Sequence, residues 1–421
     1  MIYKRTEIGD RIGFSSIIDE KFKTSSLTVR FITELSRDTA AENALGMSML
    51  SDTNSKYKTI AAMSEALTEL YGSGMSSFTS KRGDLLITGI SSSWLASRYA
   101  IYGEDIQGEM LKIFTDCLFR PNAENGEFDA ECFAIAKQEL LDRIEVELNN
   151  KRAYAIARAV ETAFRGEPAE NRSYGVKETA EAVTSAQAYR AYRRILETAN
   201  VEITFVSAED DPNVEKLMRQ GFAEIDRHPA DIAFVSPSPL KNEPAEISEE
   251  FDVKQCKTVL VFKTDCEDVF ALRLFSTIFG ETPVSKLFLN VREKLSLCYY
   301  CACRMILTKR TFLIDSGVER ENIGKTKDEI IRQLKDMQEG NFTDEDIERA
   351  LLATENGLNQ VGDTASSWSG WYFERFCEGR NIRPAEMMAD FRSVTRERII
   401  EAAKSMKLDT VYTMLDKEVK E

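Results

Sequence analysis

Residues Gly280–Tyr300 read GETPVSKLFLNVREKLSLCYY, a stretch in which one helix closes, a short second helix runs and a strand begins. Upstream, Val269, Leu272, Phe275, Ile278 and Phe279 recur at helical spacing and stop at Gly280. Glycine suits the left-handed position just past a helix because it has no Cβ to clash. Ser285 is a candidate cap for the next helix, Leu287, Phe288 and Val291 give it a buried stripe, and Arg292 and Lys294 fall in its last turn, where a cation complements the carbonyl end of the dipole. From Leu297 the run Cys298, Tyr299, Tyr300, Cys301, Ala302, Cys303 has no helical period and is rich in aromatic residues, which predicts a strand. Arg292 and Tyr299 thus flank a helix-to-strand turn, and such turns present side chains into clefts.

Outward from this stretch the pattern continues. Thr258–Lys263 reads as a strand, Val269–Phe279 and Val284–Glu293 as helices, Leu297–Leu307 and Thr311–Gly317 as a hairpin, and Glu321–Met337 and Asp344–Phe376 as long helices. The first half has the same order. Ser26–Glu34 alternates as a strand, Glu42–Ser51 and Ile60–Leu70 are helical, Met75–Ser80 and Asp84–Ser91 form a hairpin around Lys81-Arg82-Gly83, and Tyr102–Phe119 and Phe128–Phe164 carry long helical patterns. A polar connector, Arg172–Thr184, leads to the helix Ala186–Leu196 and the strand Val201–Val206. Self-similarity at half the chain length implies a duplication. The halves are joined by His228–Glu250, whose Pro229, Pro237, Pro239 and Pro244 predict a stiff extended linker. The expected division is therefore residues 1–227, the linker 228–250 and residues 251–421.

The same residues carry a resemblance. Gly280, Ser285-Lys286-Leu287-Phe288, Val291-Arg292-Glu293-Lys294 and Tyr299 stand in the order and spacing of the signature in the C-terminal repeat of the insulinase, pitrilysin and mitochondrial-processing-peptidase family, with Lys286 where that family usually has Arg. Tyr174-Gly175-Val176-Lys177-Glu178-Thr179 and Phe342–Ala350 also resemble segments of that family. The resemblance implies an α+β fold of two homologous repeats, each a mostly antiparallel sheet with helices packed on it, in a clam-like arrangement. It also implies that Arg292 and Tyr299 hold a substrate backbone opposite a zinc centre.

That centre has no counterpart here. Catalytic members carry His-x-x-Glu-His on the first long helix, two imidazoles one turn apart to hold zinc and a glutamate to activate water. The corresponding helix reads Ala44-Leu45-Gly46-Met47-Ser48-Met49-Leu50-Ser51, with no imidazole and no carboxylate. Glu139 and Asp142, near the place of the third ligand, read as solvated helix-face carboxylates. The chain's one histidine, His228, sits beside Pro229 in the linker, a poor place for the base of a Ser-His-Asp or Cys-His pair. No glycine-rich phosphate loop is found.

Composition narrows the rest. At 421 residues, 43% hydrophobic, 30% charged and with a net charge of −15, the chain suits two domains and gives no electrostatic reason to bind nucleic acid or anionic lipid. The start has no apolar h-region, no run approaches a membrane span, and eight cysteines without a secretory signal imply free thiols in the cytoplasm. Cys298, Cys301 and Cys303 read as buried thiols, Cys298 on the opposite strand face from the other two, rather than as a zinc knuckle. Trp368, Trp371, Tyr372, Phe373 and Phe376 read as core or subunit interface, with Gly362-Asp363-Thr364 capping or kinking the helix before them.

Together these readings predict a non-catalytic peptidase homologue with no metal or cofactor of its own. It pairs as a dimer with a zinc-bearing homologous subunit and contributes Arg292 and Tyr299 to a peptide chamber. The alternative is a homodimeric scaffold or peptide-binding protein with no part in hydrolysis. Because some members of the similar bacterial branch that lacks the zinc motif are associated with modification of elongation factor P, the resemblance extends to that link as well.

Overall fold

Short runs of alternating apolar and polar residues become strands in the computed structural model, which describes residues 1–417; residues 418–421 of the expected C-terminal repeat lie outside the described residues. The chain begins with β1 (Ile2–Gly9), β2 (Ile12–Ile18) and β3 (Thr24–Glu34), then α1 (Ala40–Ser48), α2 (Ile60–Glu69), and the hairpin β4 (Gly74–Arg82) and β5 (Leu85–Leu95). There follow α3 (Ile106–Phe119), a small ladder of β6 (Ala123–Glu124) and β7 (Glu127–Phe128), α4 (Ala130–Asn149), α5 (Lys151–Ala163), α6 (Lys177–Ala182), α7 (Ser185–Thr198), β8 (Asn200–Ser207) and α8 (Pro212–Ala223). The remainder runs β9 (Ala245–Phe251), β10 (Cys256–Lys263), α9 (Val269–Ser276), β11 (Cys298–Ile306), β12 (Thr311–Val318), α10 (Ile323–Gln338) and α11 (Asp344–Gln360). It closes with α12 (Ala365–Cys377), α13 (Pro384–Arg392), α14 (Arg396–Lys404) and β13 (Lys407–Asp416).

Two compact units result. The first comprises Met1–Glu145, Asn171–Ala233 and Gly362–Gly379; the second comprises Val146–Glu170, Phe234–Val361 and the stretch from Arg380 onward. The units are not the contiguous stretches 1–227 and 251–421, because each takes a segment from the other half of the sequence. Local sequence dictates that α5 and α12 are helices, but it does not say which sheet they cover.

The first sheet has the order β1-β2-β8-β3-β5-β4 and the second β11-β12-β10-β13-β9. All neighbours are antiparallel except β2 with β8 and β9 with β13, which are parallel. Read from β4 and from β11, the two sheets match strand for strand, with β1 added to the first. The fold is α+β, built of two repeat-like units. In the first unit Leu27, Val29 and Phe31 alternate into a core shared with Leu45 of α1, Phe114 of α3 and Tyr192 of α7. Gly46 sets the distance between α1 and α7, since a Cβ there would come within 2.5 Å of the Ala188 carbonyl. In the second unit Val259, Val261, Leu313 and Tyr412 bury one sheet face under Ala155, Ala159 and Ala163 of α5.

Several local expectations need correction. Gly280 does not take a left-handed conformation; the helix widens into π turns over Thr277–Glu281, and a Cβ at 280 would lie 2.5 Å from Cys303 Cβ. Its glycine is required by close approach to β11. Ser285 caps nothing: its hydroxyl is buried without a partner, and π turns over Leu287–Lys294 follow. The end of the expected linker, Ala245–Glu250, belongs to β9. The two long helical patterns are each broken, at Asn150, which accepts from Ala153 N and starts α5, and at Thr364, which accepts from Ser367 N and starts α12.

Candidate functional site

Helix α1 is built as packing, not as a ligand platform. Leu45 and Met47 are fully buried in the core. The polar side chains on it, Glu42 and Asn43, accept from Arg194 Nη2 at 2.7 and 2.8 Å. Glu139 and Asp142 are exposed on α4, where Gln138 Nε2 donates to Asp142 at 2.7 Å. His228 is exposed as well. Among the described residues no three His, Cys, Asp or Glu side chains gather in a group that could hold a metal. The donor set that zinc requires, two imidazoles one turn apart with a carboxylate, does not fit this chain.

The Arg292–Tyr299 turn sits in the second unit. The π turns over Leu287–Lys294 end at Leu295, Ser296 takes φ of 50°, and β11 begins at Cys298. Arg292, Cys298, Tyr299 and Glu319 line one open cavity of about 430 Å³. Tyr299 is 58% exposed and its hydroxyl donates to Glu319 Oε1 at 2.7 Å. That bond to a carboxylate pushes the phenol pKa up, so the group stays a neutral O–H donor at physiological pH. The Arg292 guanidinium lies 4.6 Å from the Phe288 ring centroid and its Nε is 3.6 Å from Glu293. Both residues named from sequence therefore share a cavity wall, each with a carboxylate partner in its own unit.

Of the other members of this wall, Glu319 is not singled out from sequence and Cys298 reads there as a buried thiol. Glu319 follows β12, and the hairpin register that pairs Cys298 with Val318 brings it beside Tyr299. Cys298 is displaced from the strand face assigned to it, because the register shifts between Cys298 and Tyr300. Its thiol then meets that of Cys301. Hydrogen bonding from Cys301, aided by Ser316 and the charge of Arg292, pulls Cys298 down to about 7. Cys301 and Cys303 are buried and pushed up. All eight cysteines are unpaired.

The chain thus combines two repeat-like α+β units, a first helix without histidine and an Arg/Tyr turn in the second unit. Residues 182–353 match the family described as the peptidase M16 inactive domain. The chain is 27% identical over 397 residues, 93% of each chain, to the "Probable inactive metalloprotease YmfF" of Bacillus subtilis strain 168. Among solved structures it is similar to a conserved protein from Enterococcus faecalis V583, with a TM-score of 0.92 and 25% identity over the full length of both chains. It shares its fold with a peptidase M16 inactive domain from Pseudomonas fluorescens, TM-score 0.79 and 16% identity, again over 100% of each. No helix among the described residues is long and apolar enough to cross a membrane.

Proposed function

We propose that this chain is the non-catalytic subunit of a cytoplasmic, insulinase-like peptidase, pairing with a zinc-bearing homologue and lending Arg292 and Tyr299 to a peptide chamber. The observation that supports this reading most is the shared cavity wall of the two residues in a chain whose own first helix carries no histidine. An arginine fork suits peptide carbonyls, and a neutral tyrosine hydroxyl suits an oxyanion formed when water on the partner's metal attacks. Zinc belongs, in this reading, to the partner alone.

The test is to purify the chain with and without a homologue bearing His-x-x-Glu-His and to assay peptide cleavage. Activity in the mixture only is expected, lowered about a hundredfold by Tyr299→Phe and at least about tenfold by Arg292→Ala. Unchanged turnover in both variants overturns the proposal. It would favour a homodimeric, peptide-binding scaffold, a reading supported by the partners that Tyr299 and Arg292 already have in Glu319 and Glu293.

A further inference from the structure

In the first unit a cavity of about 590 Å³ lies between the start of α12 and strands β3, β4 and β5. Strand register makes its floor. Thr28 stands opposite Ser91, Ser26 opposite Ser93, and Ser76 opposite Ser91, so hydroxyls tile the sheet face that the core residues Leu27 and Val29 leave free. Arg30 shares that face and is the only Lys or Arg in the lining. Its Nη2 donates to Ser369 Oγ at 3.0 Å and its Nη1 to Thr204 Oγ1 at 3.4 Å, with the Phe373 ring centroid 4.8 Å from the guanidinium.

What Arg30 lacks is a carboxylate in direct contact: Glu202 and Glu374 act on it only from a distance. Glu202 is held by Arg5 at 2.6 Å and Glu374 by Arg82 at 3.1 Å. No carboxylate among the described residues forms an ion pair with Arg30. Desolvation pulls its pKa down to about 10, which still leaves it charged at neutral pH. A cation largely withdrawn from water, whose hydrogen bonds from Nη1 and Nη2 go to hydroxyls and not to a carboxylate, is costly, and an anion entering the cavity would relieve that cost.

We propose that this cavity binds a small polar carboxylate, with Arg30 as its charge partner and the hydroxyls of Thr28, Ser76 and Ser91 bonding its neutral groups. The guanidinium fork matches a carboxylate in plane and spacing. A single cation matches a monoanion, whereas a phosphate dianion would leave a charge unanswered. The volume fits a hydroxy acid, an amino acid or the C-terminal end of a short peptide. The site uses neither Arg292 nor Tyr299 and stands apart from the peptide-chamber reading.

Calorimetric titration of the full chain with lactate, glutamate and trialanine tests this, with trialanine amide and inorganic phosphate as comparison probes. Saturable binding of at least one carboxylate and none of the amide is expected. Arg30→Met should weaken that binding by at least about tenfold. Ser76→Phe, which fills the cavity from the edge strand and leaves the bonds of Arg30 in place, should do the same while the thermal melt is retained. The proposal is overturned if no carboxylate binds saturably, if both variants bind as the parent does, or if phosphate binds through Arg30 more tightly than the carboxylates.

Discussion

Helices α5 and α12 occupy matching places in the two repeats, each supplied by the other half of the sequence to the unit whose sheet it covers, yet they meet opposite surfaces. Under α5 the floor is Val259, Val261 and Leu313, and alanines at every fourth position, 155, 159 and 163, bring the helix backbone close to it. The buried charge on that side is answered: Asp315, on the strand beside β10, takes Arg152 at 2.5 Å and Arg304 at 3.1 Å. Under α12 the strand that matches β10 is β3, and it offers Ser26, Thr28 and Arg30 instead. Aromatic residues carry that contact, with Tyr3 stacked on Tyr372 at 3.5 Å and Arg5 over Phe376 at 4.6 Å. The difference separates two uses of one architecture. An apolar, charge-balanced floor holds a helix down, and a hydroxyl-lined floor whose cation has no ion-pair partner among the described residues leaves a cavity.

The largest effect should come from unbalancing the second unit. Asp409 is 1% exposed and accepts from Lys241 at 3.1 Å and Lys263 at 3.2 Å, while Lys263 also donates to the carbonyl of Ala163 at the end of α5. Glu167, just past α5, takes the equally buried Lys309 at 2.7 Å. Asp409→Ala takes the nearer carboxylate from the buried Lys263, leaving it Glu167 at 3.7 Å, and should cost about 3 kcal/mol, read as a lower urea midpoint. A smaller, sharper contrast comes from size. Ala159→Leu forces a larger side chain into the dry contact and should cost about 1–3 kcal/mol. Ser366→Leu on the exposed start of α12 should stay within about 0.5 kcal/mol. Equal costs for these two substitutions would erase the distinction between the floors.

Much of this was legible in the sequence, and the failures have physical reasons. The hairpins, the repeated order of elements and the Arg292–Tyr299 turn follow from alternation, periodicity and spacing, and the α+β class from the resemblance those residues carry. Strand β9, AEISEEF, alternates as a strand should, but it sits at the end of a proline-bearing stretch and half its residues are polar, so it reads as linker. In β1 the polar residues are used on both faces: Arg5 turns toward Glu202 and Phe376, and Lys4 toward solvent. No apolar stripe marks it. The π turns at 277–281 and the bulge at Cys298 depend on how closely β11 approaches Gly280, a tertiary fact with no local signature. Arg30 is invisible for the same reason, because an arginine in a strand becomes a site only when its neighbours' carboxylates are already engaged.

Cys298 offers the finest test, since its thiol shares the cavity wall with Arg292, whose charge acts on it. Burial pushes Cys117 and Cys377 of the first unit up to about 12, so neither should react with iodoacetamide at neutral pH. Cys298, drawn down to about 7 by Cys301, Ser316 and Arg292, should alkylate first, because the thiolate is the nucleophile. Its rate should rise as pH climbs from 6 to 8, with a midpoint near 7. The sign follows from deprotonation: each group that favours the thiolate moves the midpoint down, so removing one moves it up. Arg292→Ala should therefore raise the midpoint, by less than loss of the Cys301 thiol in Cys301→Ala, because the direct hydrogen bond outweighs the partly exposed charge. Mass-spectrometric mapping of the labelled residue reads both effects. A midpoint unmoved by either substitution would mean that the cavity wall does not act on Cys298, and the second unit would then be the charge-balanced scaffold that its floor under α5 suggests.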